Sequence, residues 1–188
     1  MITHGAWLQT GSGLAYDLED PKPEQIDLDD VASALANSTR YNGHAGRYSI
    51  AEHSVRVWRW VQTAGAGIDA QRSALTHDAH EAVTGDVPSP IKKALGETWR
   101  VFERKHEIAF RERLRVALDL PPIVKVADLT LLATEKRDLL DPRAYRENLA
   151  KLPPWIPMPP PMEIRIRPWD PDRACVAFLE ACRGLGIS

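Results

Sequence analysis

The sequence predicts an all-α fold, a helical bundle with one small β-hairpin at its N-terminus. Apolar residues recur three and four positions apart along most of the chain, which is the spacing of a helix with one buried face. Residues that cap helix N-termini precede these stretches, and glycine or proline follows several of them. Residues 7–18 differ, because they alternate loosely around Gly11-Ser12-Gly13 and fit a short hairpin.

The first two predicted helices have clear N-caps. Asp27 caps a helix that runs to about Asn37, and Ser49 caps a helix over residues 50–62. The segment between them, residues 38–48, is polar and contains glycines. We therefore expect a loop or a broken helix there.

Further helices are predicted over residues 70–83, 98–118 and 123–140, and from Asp170-Pro171 to Gly184. Asp69 is the expected cap of the first of these. The expected inward positions of the helix over residues 98–118 are Phe102, Ala109, Phe110 and Ala117. A rigid loop is predicted at Val87-Pro88-Ser89-Pro90, and an extended proline-rich segment is predicted over residues 151–161.

The composition indicates one domain. The chain has 188 residues, of which 44% are apolar, and this supplies one core but not two. Its formal net charge of −2 argues against binding to nucleic acid polymers, which depends on excess Lys and Arg. No apolar run reaches the roughly 18 residues that cross a bilayer, and the N-terminus lacks the pattern of a signal peptide.

The two cysteines, Cys175 and Cys182, fall in one predicted helix. The rise of a helix would separate their Cα atoms by roughly 10 Å, whereas a disulfide requires roughly 7 Å or less. We therefore expect reduced thiols and a cytoplasmic protein.

The strongest chemical pattern is the pair His77-Asp78, followed shortly by Glu81. In a helix, His77 and Glu81 lie four positions apart on one face, and Asp78 lies three positions before Glu81. One turn would then present an imidazole and two carboxylates. Such a group can bind a divalent cation of the borderline transition type and activate a water molecule.

Two further ligands are available from other helices. His53 falls on the apolar face of the helix over residues 50–62, where a polar ring requires a partner. Asp128 lies near the start of the helix over residues 123–140. Together with His77 and Asp78 they form a set of two histidines and two carboxylates from three helices, with coordination positions left for water and a phosphate oxygen.

Other polar residues of these helices have plainer interpretations. His80 is expected to point away from the shared face of His77 and Glu81, and His106 is expected to be a core histidine. Glu135 is interpreted as an exposed or ion-paired helix residue. The alternating charges over residues 98–118 indicate an exposed, salt-bridged face.

Several stretches of the chain, in this order, resemble the HD-domain phosphohydrolase superfamily: Ser38–His44, Tyr48–Val55, Leu75–Pro90 and Val126–Leu129. The resemblance is strongest to the YfbR-type 5′-deoxynucleotidases and to their phage and prophage relatives, including the dATP triphosphohydrolase type. It implies a single HD-domain helical bundle over residues 1–188. The metal-site core would span about residues 27–140, and an extended segment and helix over residues 151–188 would complete the domain.

The resemblance also implies roles for individual residues. One divalent ion of cobalt, manganese, nickel, zinc or magnesium would be held by His53, His77, Asp78 and Asp128. Glu81 would be the catalytic carboxylate beside Asp78 and would orient or deprotonate the attacking water. The implied substrate-binding residues are Arg40 on the phosphate, Asp86 toward the sugar, Lys92 as added positive charge near the phosphate, and Tyr41.

Tyr41 departs from the family pattern. Deoxynucleotidases of this type often carry tryptophan beside the phosphate-binding arginine, where its bulk helps to exclude a ribose 2′-hydroxyl. Tyr41 could still pack on the sugar, so the preference for deoxyribose stays open.

The favoured activity is hydrolysis of nucleoside or deoxynucleoside 5′-monophosphates. The alternative within the family is a dNTP triphosphohydrolase that releases tripolyphosphate, and a non-catalytic nucleotide sensor is a third possibility. Other HD chemistries need additional histidines, or Glu-Asp where this chain has Glu81-Ala82. The expected partners are a small nucleotide and a second copy in a homodimer, with no nucleic acid polymer and no membrane.

Overall fold

The computed structural model describes residues 5–140 and 155–188. The predicted all-α fold with an N-terminal hairpin is confirmed. The hairpin consists of β1 (Trp7–Gln9) and β2 (Ala15–Asp17). The helices are α1 (Leu28–Asn37), α2 (Ile50–Thr63), α3 (Ile68–Thr76), α4 (Glu81–Thr84), α5 (Ser89–Leu95), α6 (Glu97–Arg113), α7 (Pro122–Leu139) and α8 (Pro171–Gly184), and short 3₁₀ turns lie at Pro23–Gln25 and Arg40–Gly43.

The hairpin packs onto the helices through Tyr16. Its two strands pair antiparallel with Leu8 opposite Tyr16, which is fully buried. The Tyr16 hydroxyl shares a 2.8 Å hydrogen bond with Nδ1 of His106, which is itself fully buried on α6. His106 is therefore a core histidine, as the sequence predicted.

Capping side chains begin the helices that frame the site. The carboxylate of Asp27 accepts hydrogen bonds from the backbone N–H groups of Asp29 and Asp30 at the start of α1. The hydroxyl of Ser49 accepts from the N–H of Glu52 at the start of α2. Both predicted caps are confirmed, and so is Asp170 at the start of α8.

Helix α2 lies at the centre of the bundle, because it packs against α1, α3, α7 and α8. One apolar cluster joins it to α1, α6 and α8, and its members include Leu35, Ile50, Val55, Phe110 and Phe178. A second cluster joins it to α3 and α7, and its members include Val57, Val61, Ala74, Val124 and Leu131. A polar side chain that points inward from the middle of α2 is therefore shielded from solvent on every side.

The prediction of a single helix over residues 70–83 is wrong. The chain forms α3, then a tight turn over residues 77–80, then the short helix α4. The turn is held by bonds between residues three apart, from Ala79 N–H to Thr76 O (3.1 Å) and from Glu81 N–H to Asp78 O (3.0 Å). This 3₁₀ geometry rotates successive side chains by about 120° and not by the 100° of an α-helix. The cap of α3 is Gly67, and Asp69 lies in its first turn.

Two other boundaries differ from the predictions. Helix α6 ends at Arg113 and not at residue 118, because Arg115 adopts a left-handed φ of 53°; Ala117 beyond it is exposed. The predicted rigid loop at Pro88-Ser89-Pro90 instead begins α5, since a proline fits the first turn of a helix. Residues 151–154 of the predicted extended segment lie outside the described residues, and residues 155–161 form neither helix nor strand.

The cysteines Cys175 and Cys182 are free thiols on α8, as predicted. None of the helices in residues 5–140 and 155–188 combines the length and the apolar character that crossing a membrane requires.

Candidate metal centre

The four predicted metal ligands converge on one point between α2, α3 and α7. Nε2 of His53 lies 3.3 Å from Nε2 of His77, 3.8 Å from Oδ2 of Asp78 and 3.5 Å from Oδ1 of Asp128. Nε2 of His77 lies 3.1 Å from Oδ2 of Asp78. Ligand atoms of His53, His77 and Asp128 all lie within 4.8 Å of one another, which is close enough for one ion to bind them together.

Each ligand is presented by a different part of the fold. His53 points inward from the middle of α2 and is fully buried. His77 ends α3, and Asp78 belongs to the turn that follows. Asp128 lies in the second turn of α7, where Lys125 Nζ donates to its Oδ2 at 2.9 Å and leaves Oδ1 toward His53.

Both imidazoles are oriented through their other ring nitrogen. Nδ1 of His53 lies 2.6 Å from Oε1 of Glu135, and Nδ1 of His77 lies 2.9 Å from the carbonyl oxygen of Ala74. A carboxylate or carbonyl that accepts from Nδ1–H places the lone pair on Nε2, where a metal ligand needs it. The residues present therefore fit a divalent cation, and two nitrogen and two oxygen donors suit a borderline transition metal.

Electrostatics keep the carboxylates of this centre ionised. Burial acts to raise the pKa of Asp78 and Asp128, but the adjacent imidazoles outweigh it, and both pKa values fall below their ordinary range. Burial and Arg40 act to lower the pKa of His53. Glu135 and Asp128 act in the opposite direction and raise it to about 9 in the metal-free protein.

Glu135 is a residue of the site that the sequence interpretation did not place there. It is ion-paired, as one of the two interpretations had it, but it is fully buried and not exposed. Its Oε2 accepts from the Tyr41 hydroxyl at 2.5 Å and from Nε of Arg40 at 3.4 Å. Its position seven residues after Asp128, two turns along the same face of α7, is the signal that could have identified it.

Arg40 reaches the metal centre from the 3₁₀ turn at residues 40–43. The side chain is buried, and NH1 lies 3.5 Å from Oδ2 of Asp78. Glu135 therefore holds one side of the guanidinium while another side faces the metal ligands. The structure places this predicted phosphate-binding residue beside the predicted metal ligands.

The backbone after Arg40 is strained. Tyr41 and Asn42 both adopt left-handed conformations, with φ of 58° and 51°, which a tyrosine rarely does. Oδ2 of Asp86 accepts a 3.0 Å hydrogen bond from the N–H of Tyr41 and so helps to hold this conformation. The structure thus gives Asp86 a role in supporting the loop, and its predicted contact with a sugar stays a prediction.

Glu81 lies next to the metal centre in a second group of side chains. Ligand atoms of His80, Glu81 and Glu103 lie within 4.8 Å of one another, and Lys92 Nζ lies 3.6 Å from Oε1 of Glu81. His80 is outside the His53 group, as predicted, but it was also expected to point away from Glu81, and it lies beside Glu81 because the 3₁₀ turn changes the direction of its side chain. Glu103 and Arg111 were assigned to the exposed charged face of α6. Glu103 is instead only partly exposed and contacts Lys92, and Arg111 is buried and donates to the carbonyl oxygen of Ala117.

The carboxyl group of Glu81 is unusual because it is buried beside other carboxylates. Burial raises its pKa well above the usual range, and the charges of Asp78 and Asp86 act in the same direction, while Lys92 and Arg40 oppose them. A carboxyl group with a raised pKa and a specific set of charged neighbours is typical of a functional site.

The sequence matches no protein-family model. It is 35% identical over 154 residues to the uncharacterized protein YfdR of Escherichia coli K12, and the match covers 79% of this chain and 81% of YfdR. It is 36% identical over 127 residues to the uncharacterized protein RCAP_rcc00048 of Rhodobacter capsulatus, with 65% of each chain covered. The chain belongs to the same family as YfdR of Escherichia coli.

Proposed function

We propose that the protein is a metal-dependent phosphohydrolase that acts on nucleotides, with nucleoside or deoxynucleoside 5′-monophosphates as the favoured substrates. The observation that carries the proposal is the convergence of two oriented imidazoles and two aspartates beside a buried arginine. We infer a nucleotide substrate from the resemblance of residues 38–129 to HD phosphohydrolases.

His53, His77, Asp78 and Asp128 would hold the divalent cation. The ion, when bound, supplies Lewis-acid stabilisation of phosphoryl oxygens and lowers the pKa of water. The protein contributes the fixed positions of the ligands, since Glu135 and Ala74 orient the two imidazoles.

Arg40 would bind the phosphoryl group. Its planar guanidinium can donate two parallel hydrogen bonds to phosphate oxygens, and it offsets the negative charge that the reaction places there. The contact with Glu135 fixes the guanidinium in direction before the substrate arrives. This preorganisation lowers the entropy cost of binding. Lys92 would add positive charge nearby.

Glu81 would act as the general base. Its Oε2 makes no hydrogen bond to any of residues 5–140 and 155–188, so this atom is available to take a proton from the attacking water. The raised pKa of Glu81 makes its ionised carboxylate a stronger base than an exposed carboxylate. The same proton could then pass to the leaving 5′-oxygen, which departs as the hydroxyl group of the nucleoside.

A product assay tests the proposal. The protein would be stripped of metal, reloaded with cobalt or manganese, and mixed separately with each nucleoside and deoxynucleoside mono- and triphosphate. Nucleoside plus phosphate from monophosphates is the expected result. Nucleoside plus tripolyphosphate from a triphosphate would show that the protein is a triphosphohydrolase and not a nucleotidase. Nucleotide binding without any product would indicate a nucleotide sensor.

Two variants make the assay specific to the site. Glu81→Gln is expected to reduce turnover by roughly 10²–10⁴-fold, the usual contribution of a general base, while the His53 centre keeps its metal. Glu112→Gln is the matched control, because Glu112 is exposed on α6. Near-normal turnover in Glu81→Gln would remove Glu81 from the mechanism. Light scattering on the same samples tests the homodimer, which is part of this proposal.

A further inference from the structure

The second group of side chains around Glu81 has the composition of a metal site in its own right. We call it the His80 cluster, and it consists of His80, Glu81 and Glu103 with Lys92 beside them. The three potential ligands come from the turn at residues 77–80, from α4 and from α6. Their ligand atoms lie within 4.8 Å of one another, as do those of His53, His77 and Asp128.

Two polar atoms of these side chains, each able to bind a metal, are buried without a hydrogen-bond partner. Nε2 of His80 makes no hydrogen bond within the described residues, and the side chain is only 8% exposed. The nearest oxygen of Glu103 is 3.6 Å away from it. Oε2 of Glu81 is likewise without a partner in the described parts of the chain. A buried polar atom without a partner is costly, so two in one cluster indicate that another group completes it.

The charge of the cluster favours a cation as that group. Glu81 and Glu103 bring two carboxylates, and the ammonium of Lys92 offsets one of them, with Nζ 2.5 Å from Oε1 of Glu103. Lys92 makes no hydrogen bond to either of the two atoms that lack partners. A divalent ion among the three side chains could bind Nε2 of His80 and an oxygen of each carboxylate at once.

We propose that His80, Glu81 and Glu103 form a second divalent-cation site, separate from the centre at His53, His77, Asp78 and Asp128. One nitrogen and two carboxylate oxygens suit manganese, zinc or cobalt. Lys92 competes with the ion for the carboxylate of Glu103. Either the ammonium group or the ion binds this carboxylate, but not both at once. The proposal concerns binding alone. An ion held by Oε2 of Glu81 would occupy the atom that accepts a proton in the proposed function, so the second ion would oppose that activity.

Metal stoichiometry tests the second site. Tag-free full-length protein would be stripped of metal, equilibrated with excess manganese or zinc, freed of unbound ion, and analysed by mass spectrometry of the metal content. We expect two ions per chain in the wild type. One ion per chain at saturation would overturn the proposal.

Variants assign each ion to its site. His80→Ala and Glu103→Gln are each expected to lower the stoichiometry from two ions to one, whereas His53→Ala should weaken only the other ion. His44→Ala is the matched control and should keep both ions, because His44 is exposed and outside the cluster. Two ions retained in both His80→Ala and Glu103→Gln would overturn the proposal, and circular dichroism would confirm that each variant is folded.

The variant Lys92→Met should strengthen binding of the second ion, whereas the preceding variants of the cluster should weaken it. Because it removes a competing positive charge, it should tighten binding of the second ion by roughly tenfold or more. Unchanged or weaker binding would contradict the competition between Lys92 and the ion. No substrate is present in these experiments, so their outcome is independent of the product assay that tests the proposed function.

Discussion

Glu135 holds Nδ1 of His53 at 2.6 Å with one carboxylate oxygen, and its other oxygen accepts from the Tyr41 hydroxyl at 2.5 Å. Burial acts to raise its pKa, but Arg40 and His53 outweigh it and lower the pKa of Glu135 to about 2, so the carboxylate is ionised at neutral pH. A single buried anion thus orients the imidazole of His53 and contacts the loop that carries Arg40.

Glu135→Gln should therefore weaken metal binding at the His53 centre by roughly 10–100-fold, the usual effect of losing such an orienting carboxylate. A neutral amide occupies the same space but stabilises the required tautomer of His53 less well. Competition with a chelator of known affinity measures the change, and Glu112→Gln on the exposed face of α6 is the control. An affinity equal to that of the wild type would show that Glu135 does not support the metal ligand.

Metal affinity should rise with pH between about 6 and 9. The pKa of His53 in the metal-free protein is raised to about 9, so the imidazole is protonated below that pH, and a binding cation must displace this proton. Affinity should increase by up to about tenfold per pH unit and level off near pH 9. Calorimetry in buffers of different ionisation enthalpy would report one released proton. A pH-independent affinity would mean that His53 is neutral before the metal binds.

The protein should lose stability in mild acid because of His106. Burial lowers its pKa to about 4, with Lys105 and His80 acting in the same direction, whereas the unfolded chain has the ordinary value of about 6.5. As the pH falls from 6.5 to 4, His106 therefore becomes protonated in the unfolded state but stays neutral in the folded state. The resulting decrease in the free energy of unfolding approaches about 3 kcal/mol by pH 4, and there is no decrease above pH 6.5.

Urea unfolding of metal-free protein at several pH values checks this expectation. His106→Gln keeps a polar partner for the Tyr16 hydroxyl but cannot titrate, so its stability should fall less between pH 6.5 and 4 than that of the wild type. His44→Gln, at an exposed position, should follow the wild type. Parallel curves for the wild type and His106→Gln would assign the acid sensitivity to other groups.

The two obvious substitutions of Asp86 should differ in effect. Asp86→Ala removes the acceptor for the N–H of Tyr41, so the strained loop should loosen and kcat/KM should fall by about tenfold or more. Asp86→Asn retains an acceptor oxygen and should keep most of the activity. Steady-state kinetics on the best substrate of the product assay measure both. Equal losses in the two variants would favour the predicted direct contact with the sugar over support of the loop.

The fold was predictable where local side chains decide it. The caps at Asp27, Ser49 and Asp170 act through hydrogen bonds within a few residues of the chain, so the sequence predicted the helices they begin. The turn over residues 77–80 was not predictable in this way. Its apolar pattern continues that of α3, and the break becomes visible only once α2 and α7 bring His53 and Asp128 against His77 and Asp78.

The convergence of His53, His77, Asp78 and Asp128 was predictable from the order of their motifs, whereas their contacts with other charged groups were not. Glu135 and Glu103 are common charged residues on amphipathic helices, and only their distant neighbours make them parts of a site. Glu135 meets Arg40 and His53, which are more than 80 positions away in the sequence. Local spacing carries no information about such contacts.

The turn between α3 and α4 has a consequence for how this chain can change. His77 and Asp78 of this turn belong to the first cluster, and His80 belongs to the His80 cluster. Glu81, directly after the turn, also belongs to the His80 cluster. Inserting or deleting one residue here would rotate every later side chain by about a third of a turn and would misalign both clusters at once. Variation in this segment is therefore restricted to exchanging side chains at constant length, whereas exposed loops elsewhere can gain or lose residues freely.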